Sequence, residues 1–388
     1  MQGSAAESLR LLTPRGPVPL GFAEAPGRIY LVARARSAQW PVDLLRSGRA
    51  ELALPGSTAV GTPELVTAEA ERGQILGLFL AKYGHEQFAR WYDRPARVLR
   101  VTIDGAPAGT SLGSSAYYHW LEAEFDNIAD DYDRHITGNR MNLLLRDRSL
   151  ATLRERFAGS HRLLEIGCGS GMETIPLLEL GHEILAVDIS GRMLDVVRRK
   201  AKERGISERL TTRELPARDL GRVLELDRSG SFDGAYSTYG ALNCEPDLSG
   251  LSRSLGRLLR PRAPFVAGVY NRWCLFELVG YSLALDGSRA FGRARNPIPV
   301  GASRFCVDVY AHSAAGFERL LRPDFVLERL EGIPVLLPPS DLVAYADRFD
   351  RHFAQLARWD ARLGRHWPFN RLGDHFLMTF FRRSDGGS

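Results

Sequence analysis

The sequence predicts an α/β protein, a mostly parallel sheet with helices on both faces, preceded by a small β-rich domain. Three observations carry this expectation. From residue 162 onward, short apolar runs alternate with helical segments, the pattern of strands joined by crossover helices. The first of these runs opens into a cluster of glycines and the second ends in an acid. Ahead of them, residues 9–104 read as short strands punctuated by Pro-Gly turns.

At 388 residues the chain exceeds the roughly 100–200 of a typical domain, so two domains, or one with insertions, are expected. Hydrophobic residues at 44% and charged residues at 25% are those of an ordinary globular protein. No stretch reaches the ~20 apolar residues that a membrane span needs, and no basic start leads into an apolar core as in a signal peptide. A cytoplasmic protein is expected. Cys168, Cys244, Cys274 and Cys306 stand far apart without a C-x-x-C pair, which argues against a zinc knuckle and a disulfide framework, so no metal is expected. The net charge of +5 comes from scattered arginines interleaved with acids, which is not the clustered stripe of a nucleic-acid binder.

In chain order, strands are expected at 18–22, 28–36, 49–54 and 64–70, then a helix from Arg72 with Ile75, Leu76, Phe79 and Leu80 at helical spacing, then a closing strand at 98–103. Such a set suggests a small barrel or half-barrel. The small, nearly uncharged stretch 105–115 reads as a linker between a front domain, 1–104, and the main domain, 116–388. Beyond it come helices at 117–136 and 139–157 and strands at 162–166, 183–188, 210–215, 232–237, 265–270, 305–311, 325–330 and 375–381.

The strongest signal is Leu163-Leu164-Glu165-Ile166-Gly167-Cys168-Gly169-Ser170-Gly171. Glycines let backbone pass close to a ligand, and the carboxyl edge of the first strand is where open α/β sheets bind one. The second strand ends in Asp188, about 20 residues after the first glycine, placed to accept ribose hydroxyls. A dinucleotide site and a site for S-adenosyl-L-methionine (SAM) share these features. Spacing separates them, because the glycines read G-x-G-x-G with Glu165 just ahead and Glu173 just behind. Negative charge there opposes a pyrophosphate and suits a ligand carrying an ammonium and a sulfonium.

This block, with Ala186-Val187-Asp188-Ile189-Ser190 and Met193, resembles motifs I and II of class I SAM-dependent methyltransferases. The resemblance reaches Phe125-Asp126-Asn127-Ile128-Ala129 and Tyr132-Asp133, similar to a helix that folds over SAM, and Phe232-Asp233-Gly234-Ala235-Tyr236-Ser237, similar to the fourth strand. It implies a Rossmann-like seven-stranded sheet that uses SAM and releases S-adenosyl-L-homocysteine. It also implies that Glu165, Gly167, Cys168 and Gly169 border the methionine part, that Asp188 holds the ribose, that Ile189 and Met193 flank the adenine, and that Tyr132 covers the sulfonium side. Ser237 closes the fourth strand beside them. Where the family often has Gly-Asp-Ala after the third strand, this chain has Leu215-Pro216-Ala217-Arg218, so the adenine is expected to meet Ala217 and Arg218, with backbone or another acid such as Asp219 reading it.

Tyr239 and Asn243 follow the fourth strand at the edge where the methyl group must emerge, and are candidate substrate contacts; alternatively Asn243 caps the next helix and Tyr239 packs. His312, with His119 or Tyr118, is a candidate base. Two insertions, 271–304 and 333–374, carry Trp273, Phe276, Tyr281, Phe291, Tyr345, Trp359, Trp367 and Phe369, and are expected to form a lid over a flat or apolar small molecule.

The front block also resembles the split β-barrel of deazaflavin-dependent nitroreductases and related flavin-binding oxidases, through Gly27-Arg28-Ile29-Tyr30-Leu31-Val32, Trp40-Pro41-Val42-Asp43-Leu44, Glu71-Arg72 and Arg97-Val98. Its phosphate-binding stretch is missing, with only Thr13-Pro14-Arg15-Gly16 near that place. The domain is therefore expected to grip substrate or pair two copies into a homodimer rather than to hold a flavin or deazaflavin. The whole is expected to methylate a small-molecule acceptor, with a bifunctional reductase-methyltransferase or a SAM-binding regulator as the alternatives.

Overall fold

The structure is a computed structural model that describes residues 8–384 apart from 14–15, 26, 35–39, 55–56, 92–94, 104–114, 227–230, 295–296, 303–304 and 348–349. The chain forms two compact units, Met1–Asn127 with Pro299–Asp308, and Ile128–Ile298 with Val309–Ser388. The expected linker, 105–115, lies almost wholly outside the described residues.

The first unit holds strands β1 (Leu9–Thr13), β2 (Gly16–Leu20), β3 (Phe22–Ala25), β4 (Arg28–Arg34), β5 (Ala50–Leu54), β6 (Ser57–Leu65) and β7 (Pro95–Ile103), with helices α1 (Trp40–Ser47), α2 (Glu69–Trp91) and α3 (Ser115–Ile128). The strands make one antiparallel sheet in the order β2-β1-β5-β6-β7-β4-β3. Ala23, Tyr30, Val32, Val66 and Val98 bury one face of it against Ile75 and Phe79 of α2, the apolar stripe seen in the sequence. At Gly61 a Cβ would stand 2.4 Å from the Thr102 carbonyl oxygen, so only glycine lets β6 and β7 approach there. The expected strand at 64–70 is corrected: β6 ends at Leu65 and α2 begins at Glu69. Arg97 of β7 donates to Glu124 of α3 at 2.6 Å, a buried ion pair inside this unit.

The second unit carries helices α4 (Tyr132–Thr137), α5 (Arg140–Arg156), α6 (Thr174–Glu179) and α7 (Gly191–Glu203) and strands β8 (Arg162–Ile166), β9 (Glu183–Asp188), β10 (Leu210–Glu214), β11 (Gly234–Ser237) and β12 (Pro264–Tyr270). A two-stranded ribbon, β13 (Ile298–Ala302) with β14 (Phe305–Val309), falls almost wholly in the first unit, and β15 (Phe325–Ile333) and β16 (His375–Arg382) complete the second. The main sheet runs β10-β9-β8-β11-β12-β16-β15. Its first five strands are parallel, and β16 pairs antiparallel with both β12 and β15. The central strands β8, β9, β11 and β12 are mostly apolar because both faces are covered, one by Leu164, Phe232, Phe265 and Phe317, the other by Phe157, Leu163, Leu177 and Tyr236.

The single helix expected at 117–136 is two, α3 and α4, broken at Ala129–Asp131, where the Asp131 N–H bonds the Ile128 carbonyl. Residues 125–127 thus belong to the first unit, while Tyr132 and Asp133 open α4 in the second. Asn271 joins the two insertions at their roots, its amide donating to the carbonyls of Trp273, Arg371 and Gly373. The second insertion is fastened to α5: Leu337 and Ala346 pack on Met141, and Asn139 donates to the Ser340 carbonyl at 2.8 Å. Several of the expected lid aromatics face outward, with Trp367 78% and Phe291 56% exposed. No helix among the described residues is long and apolar enough to cross a membrane.

Candidate active site

The carboxyl ends of the parallel strands converge on the turn after β8. Gly167, Gly169 and Gly171 all take positive φ, +72°, +51° and +80°, which glycine adopts without strain. At Gly167 space adds to the requirement, because a Cβ would stand 2.4 Å from that of Ala241. The N–H groups of Gly167 and Cys168 both bond the Val187 carbonyl, at 2.7 and 3.1 Å.

Asp188 closes the loop from the neighbouring strand. Its Oδ2 accepts the Gly169 N–H at 2.7 Å and its Oδ1 the Ser190 N–H at 3.0 Å. Ser190 in turn caps α7, accepting from the Met193 N–H at 3.0 Å. Met193 is buried, and Ile189 is half-buried beside it. One acid therefore fixes both the glycine turn and the start of α7.

Glu165 is buried and accepts from the Thr174 hydroxyl at 2.5 Å; burial raises its carboxyl to about 8. Glu173 is also buried, and Nη1 of Arg146 lies 2.7 and 2.6 Å from its two oxygens. The free negative charge expected at Glu173 is thus corrected, since Arg146 neutralises it. Arg146 was not apparent from the sequence, where it is one arginine among several on α5. Its guanidinium carbon lies 4.2 Å from the Tyr239 ring centroid. Burial works against the charge of Arg146, but Glu173, Tyr132 and Tyr239 together outweigh it and raise its pKa.

Tyr132 reaches the same place, with Cε1 3.8 Å from where a Cβ on Gly169 would be. Burial raises its phenol, with Arg146 working in the opposite direction. Its helix is clamped to the turn by Asp133, which accepts from the Ser170 hydroxyl at 2.5 Å and pairs with Lys200, itself 2.7 Å from the Ser170 carbonyl.

On the adenine side, Arg218 donates its backbone N–H to the buried Glu245, and Ala217 packs against the core. Asp219 sits between Arg218 and Arg222, at 3.6 and 3.8 Å. Glu214, which the sequence reading passed over, stands in register with Asp188 and presses its carboxylate against Gly191 of α7.

Of the other sequence candidates, Ser237 spends its hydroxyl on the Ile166 carbonyl at 2.8 Å. Cys168 is buried in the turn, and burial raises its thiol. Asn243 is wholly buried and ties two chain segments together: its amide donates to the carbonyls of Tyr270 and Tyr310 and accepts from the Tyr270 N–H at 2.8 Å. His312 packs edge-on against Phe317, and burial followed by Arg272 lowers its imidazole to about 4. Tyr118 packs on Tyr117 in the first unit, and the side chain of His119 lies outside the described residues.

Tyr239 holds a left-handed backbone, φ 56°, at the strand edge, and its ring stacks on His375 at 6.2 Å. His375 opens β16 opposite Tyr270, the last residue of β12, so an antiparallel strand delivers it to the same edge. Its Nδ1 lies 2.9 Å from Asp374 Oδ2. The sequence reading did not single out this pair; the adjacent Asp-His at a strand start was the available signal. Asp374 also pairs with Arg293 at 2.6 Å, and Arg293 pairs with Glu277. Cys274, Glu277 and Asp374 lie close enough to share a cation, and Arg293 is the cation that Glu277 and Asp374 face.

Residues 163–262 match the family model described as "Methyltransferase domain". A ubiquinone biosynthesis O-methyltransferase of Methylocella silvestris is 29% identical over 164 residues, 40% of this chain and 60% of that protein. A tRNA 5-carboxymethoxyuridine methyltransferase of Escherichia coli is 29% identical over 109 residues, 27% of this chain and 41% of that protein. The chain thus spans less than two thirds of either relative. Among solved structures, a 1,6-didemethyltoxoflavin-N1-methyltransferase of Burkholderia thailandensis with S-adenosylhomocysteine aligns at TM-score 0.42 and 20% identity, over 72% of this chain and 95% of that one. The CcbJ methyltransferase of Streptomyces caelestis aligns at TM-score 0.44 and 15% identity, over 67% and 98%.

Proposed function

We propose that this chain is a SAM-dependent methyltransferase acting on a small-molecule acceptor. One observation carries the reading: within the matched stretch, a three-glycine turn is bonded to the acid that ends the next strand, Gly169 N–H to Asp188. The residues fit SAM. A carboxylate oxygen accepts more than one hydrogen bond, so Asp188 can hold ribose hydroxyls while it keeps the loop in place. Glu173 is paired to Arg146 and Asp133 to Lys200, and Asp188 adds a carboxylate at the turn that suits a cationic ligand. Ile189 and Met193 would flank the adenine, Tyr132 would cover the sulfonium, and the glycine turn would border the methionine part. SAM supplies an electrophilic methyl on a sulfonium, so the protein's task is alignment, exclusion of water and removal of any acceptor proton.

The first unit is read as an accessory module of split-barrel type that grips substrate or pairs two copies; its place for a flavin phosphate, around Arg15, lies outside the described residues. Calorimetry tests the central reading. SAM and S-adenosylhomocysteine should bind at micromolar concentration, and absence of binding by both overturns it.

A further inference from the structure

We propose that His375, oriented by Asp374, accepts the proton in methyl transfer to a phenol-like hydroxyl, an inference that rests on the methyltransferase reading above. Burial alone would raise the Asp374 carboxyl, but Arg293 and His375 hold it down at about 2, so at neutral pH it can only accept a hydrogen bond. In the neutral imidazole the proton that faces Asp374 at 2.9 Å sits on Nδ1, which leaves Nε2 with its lone pair. Nε2 makes no hydrogen bond to another described residue, and it comes within 3.7 Å of where a Cβ on Gly240 would be, beside Tyr239. Arg146 lies over the Tyr239 ring, and Tyr132 Cε1 comes within 3.8 Å of where a Cβ on Gly169 would be. Tyr239, with the Arg146 guanidinium over its ring and His375 stacked on it, thus links Arg146 to the dyad.

Support behind the dyad is unusually complete. Arg293 grips Asp374, Glu277 grips Arg293, and the ring of Tyr270 meets His375 edge-on at 5.3 Å and Arg293 at 4.1 Å. Asp374 is thus held in place to accept from His375 Nδ1. His312, the base expected from the sequence, lacks any such orienting carboxylate among its described contacts.

The acceptor class follows from what such a base is for. Carboxylates reach the methyl group already ionised and thiols ionise more readily than phenols, whereas a phenolic hydroxyl, with a pKa of about 10, depends most on a base at neutral pH. As its oxygen forms the new bond to the methyl carbon, the bond from carbon to sulfur breaks with its electron pair going to sulfur. The hydroxyl proton passes to Nε2, and the imidazolium, held by Asp374, returns it to water after product leaves. The rings of Tyr239 and Tyr132 suit a flat acceptor.

The test uses the full chain, a graded set of phenols from 4-nitrophenol to 4-methoxyphenol, and labelled SAM. In His375→Gln, turnover of the weakly acidic phenols should fall about 100-fold or more, the scale of general-base catalysis, while 4-nitrophenol, largely ionised above neutrality, falls far less. Asp374→Asn should show the same ordering with kcat affected more than KM. A loss independent of phenol acidity, or no turnover of any phenol by the wild type, overturns the proposal. A second readout needs no turnover: diethyl pyrocarbonate should modify His375, mapped by mass spectrometry, and S-adenosylhomocysteine with 4-methoxyphenol should protect it. An unmodified His375 also overturns the proposal. SAM binding by His375→Gln should match the wild type, so a failed base leaves donor binding intact, whereas loss of binding in both proteins refutes the methyltransferase reading itself.

Discussion

Arg146 and Glu173 form a buried ion pair directly behind the glycine turn, with one guanidinium nitrogen within 2.7 Å of both carboxylate oxygens. Removing one partner strands the other charge in a place that water does not reach. Arg146→Met should therefore cost about 3–5 kcal/mol of stability, and Arg146→Met with Glu173→Leu should recover most of it, measured by urea unfolding. A double variant as unstable as the single one would show that the pair's geometry, rather than the orphaned charge, is what matters.

Asp188 serves the loop and the proposed ribose together. Asp188→Ala should weaken SAM binding by about 1–3 kcal/mol in calorimetry, the scale of hydrogen bonds to a charged group. It should also lower the melting temperature in the absence of ligand, because Gly169 and Ser190 lose their acceptor. Unchanged affinity would mean the ribose sits elsewhere.

Gly167 meets two constraints, a positive φ and a Cβ position 2.4 Å from the Cβ of Ala241. Gly167→Ala should destabilise by about 1–3 kcal/mol and weaken SAM binding. Adding Ala241→Gly removes the clash and leaves the backbone strain, so recovery should be partial. Complete recovery would assign the whole effect to space.

Burial raises the Glu165 carboxyl from its ordinary 4.5 to about 8. The folded chain then holds a proton that the unfolded chain has lost between these values, so this group's contribution falls as pH rises from about 4.5 to about 8 and is level above that. Glu165→Gln should accordingly become more stable relative to wild type as pH rises from 5 to 8. Denaturant midpoints across that interval check the trend, and a constant difference refutes it.

Asn243 spends its amide on the backbone of Tyr270 and Tyr310. Asn243→Ala should cost about 2–4 kcal/mol, since three backbone groups lose a buried partner. Its mark should be thermal unfolding. If the variant stayed as stable as wild type while losing turnover, the residue would be a substrate contact after all.

Much of the second unit was legible in the sequence because parallel strands covered on both faces read as apolar runs at regular intervals, and glycines mark the turn between β8 and α6. Helix breaks were less so. The α3–α4 interruption rests on a local turn at Ala129–Asp131, and polar residues there also fit a helix surface. The β6–α2 boundary was misplaced because Val66 and the residues after it suit either a strand or a helix start.

Site residues divide along the same line. Asp188, the glycines and Tyr239 lie within a few residues of strand ends that the sequence itself marks. Arg146, His375, Asp374 and Arg293 come from α5, an antiparallel strand and an insertion, up to 229 positions apart by number, 375 less 146. Local pattern determined the sheet, the turn and the acid that closes it, since periodicity and backbone conformation are properties of neighbouring residues. Only the tertiary structure decided which charges neutralise one another and which histidine has a carboxylate behind it, because burial and ion pairing depend on distances in space that separation along the chain does not fix.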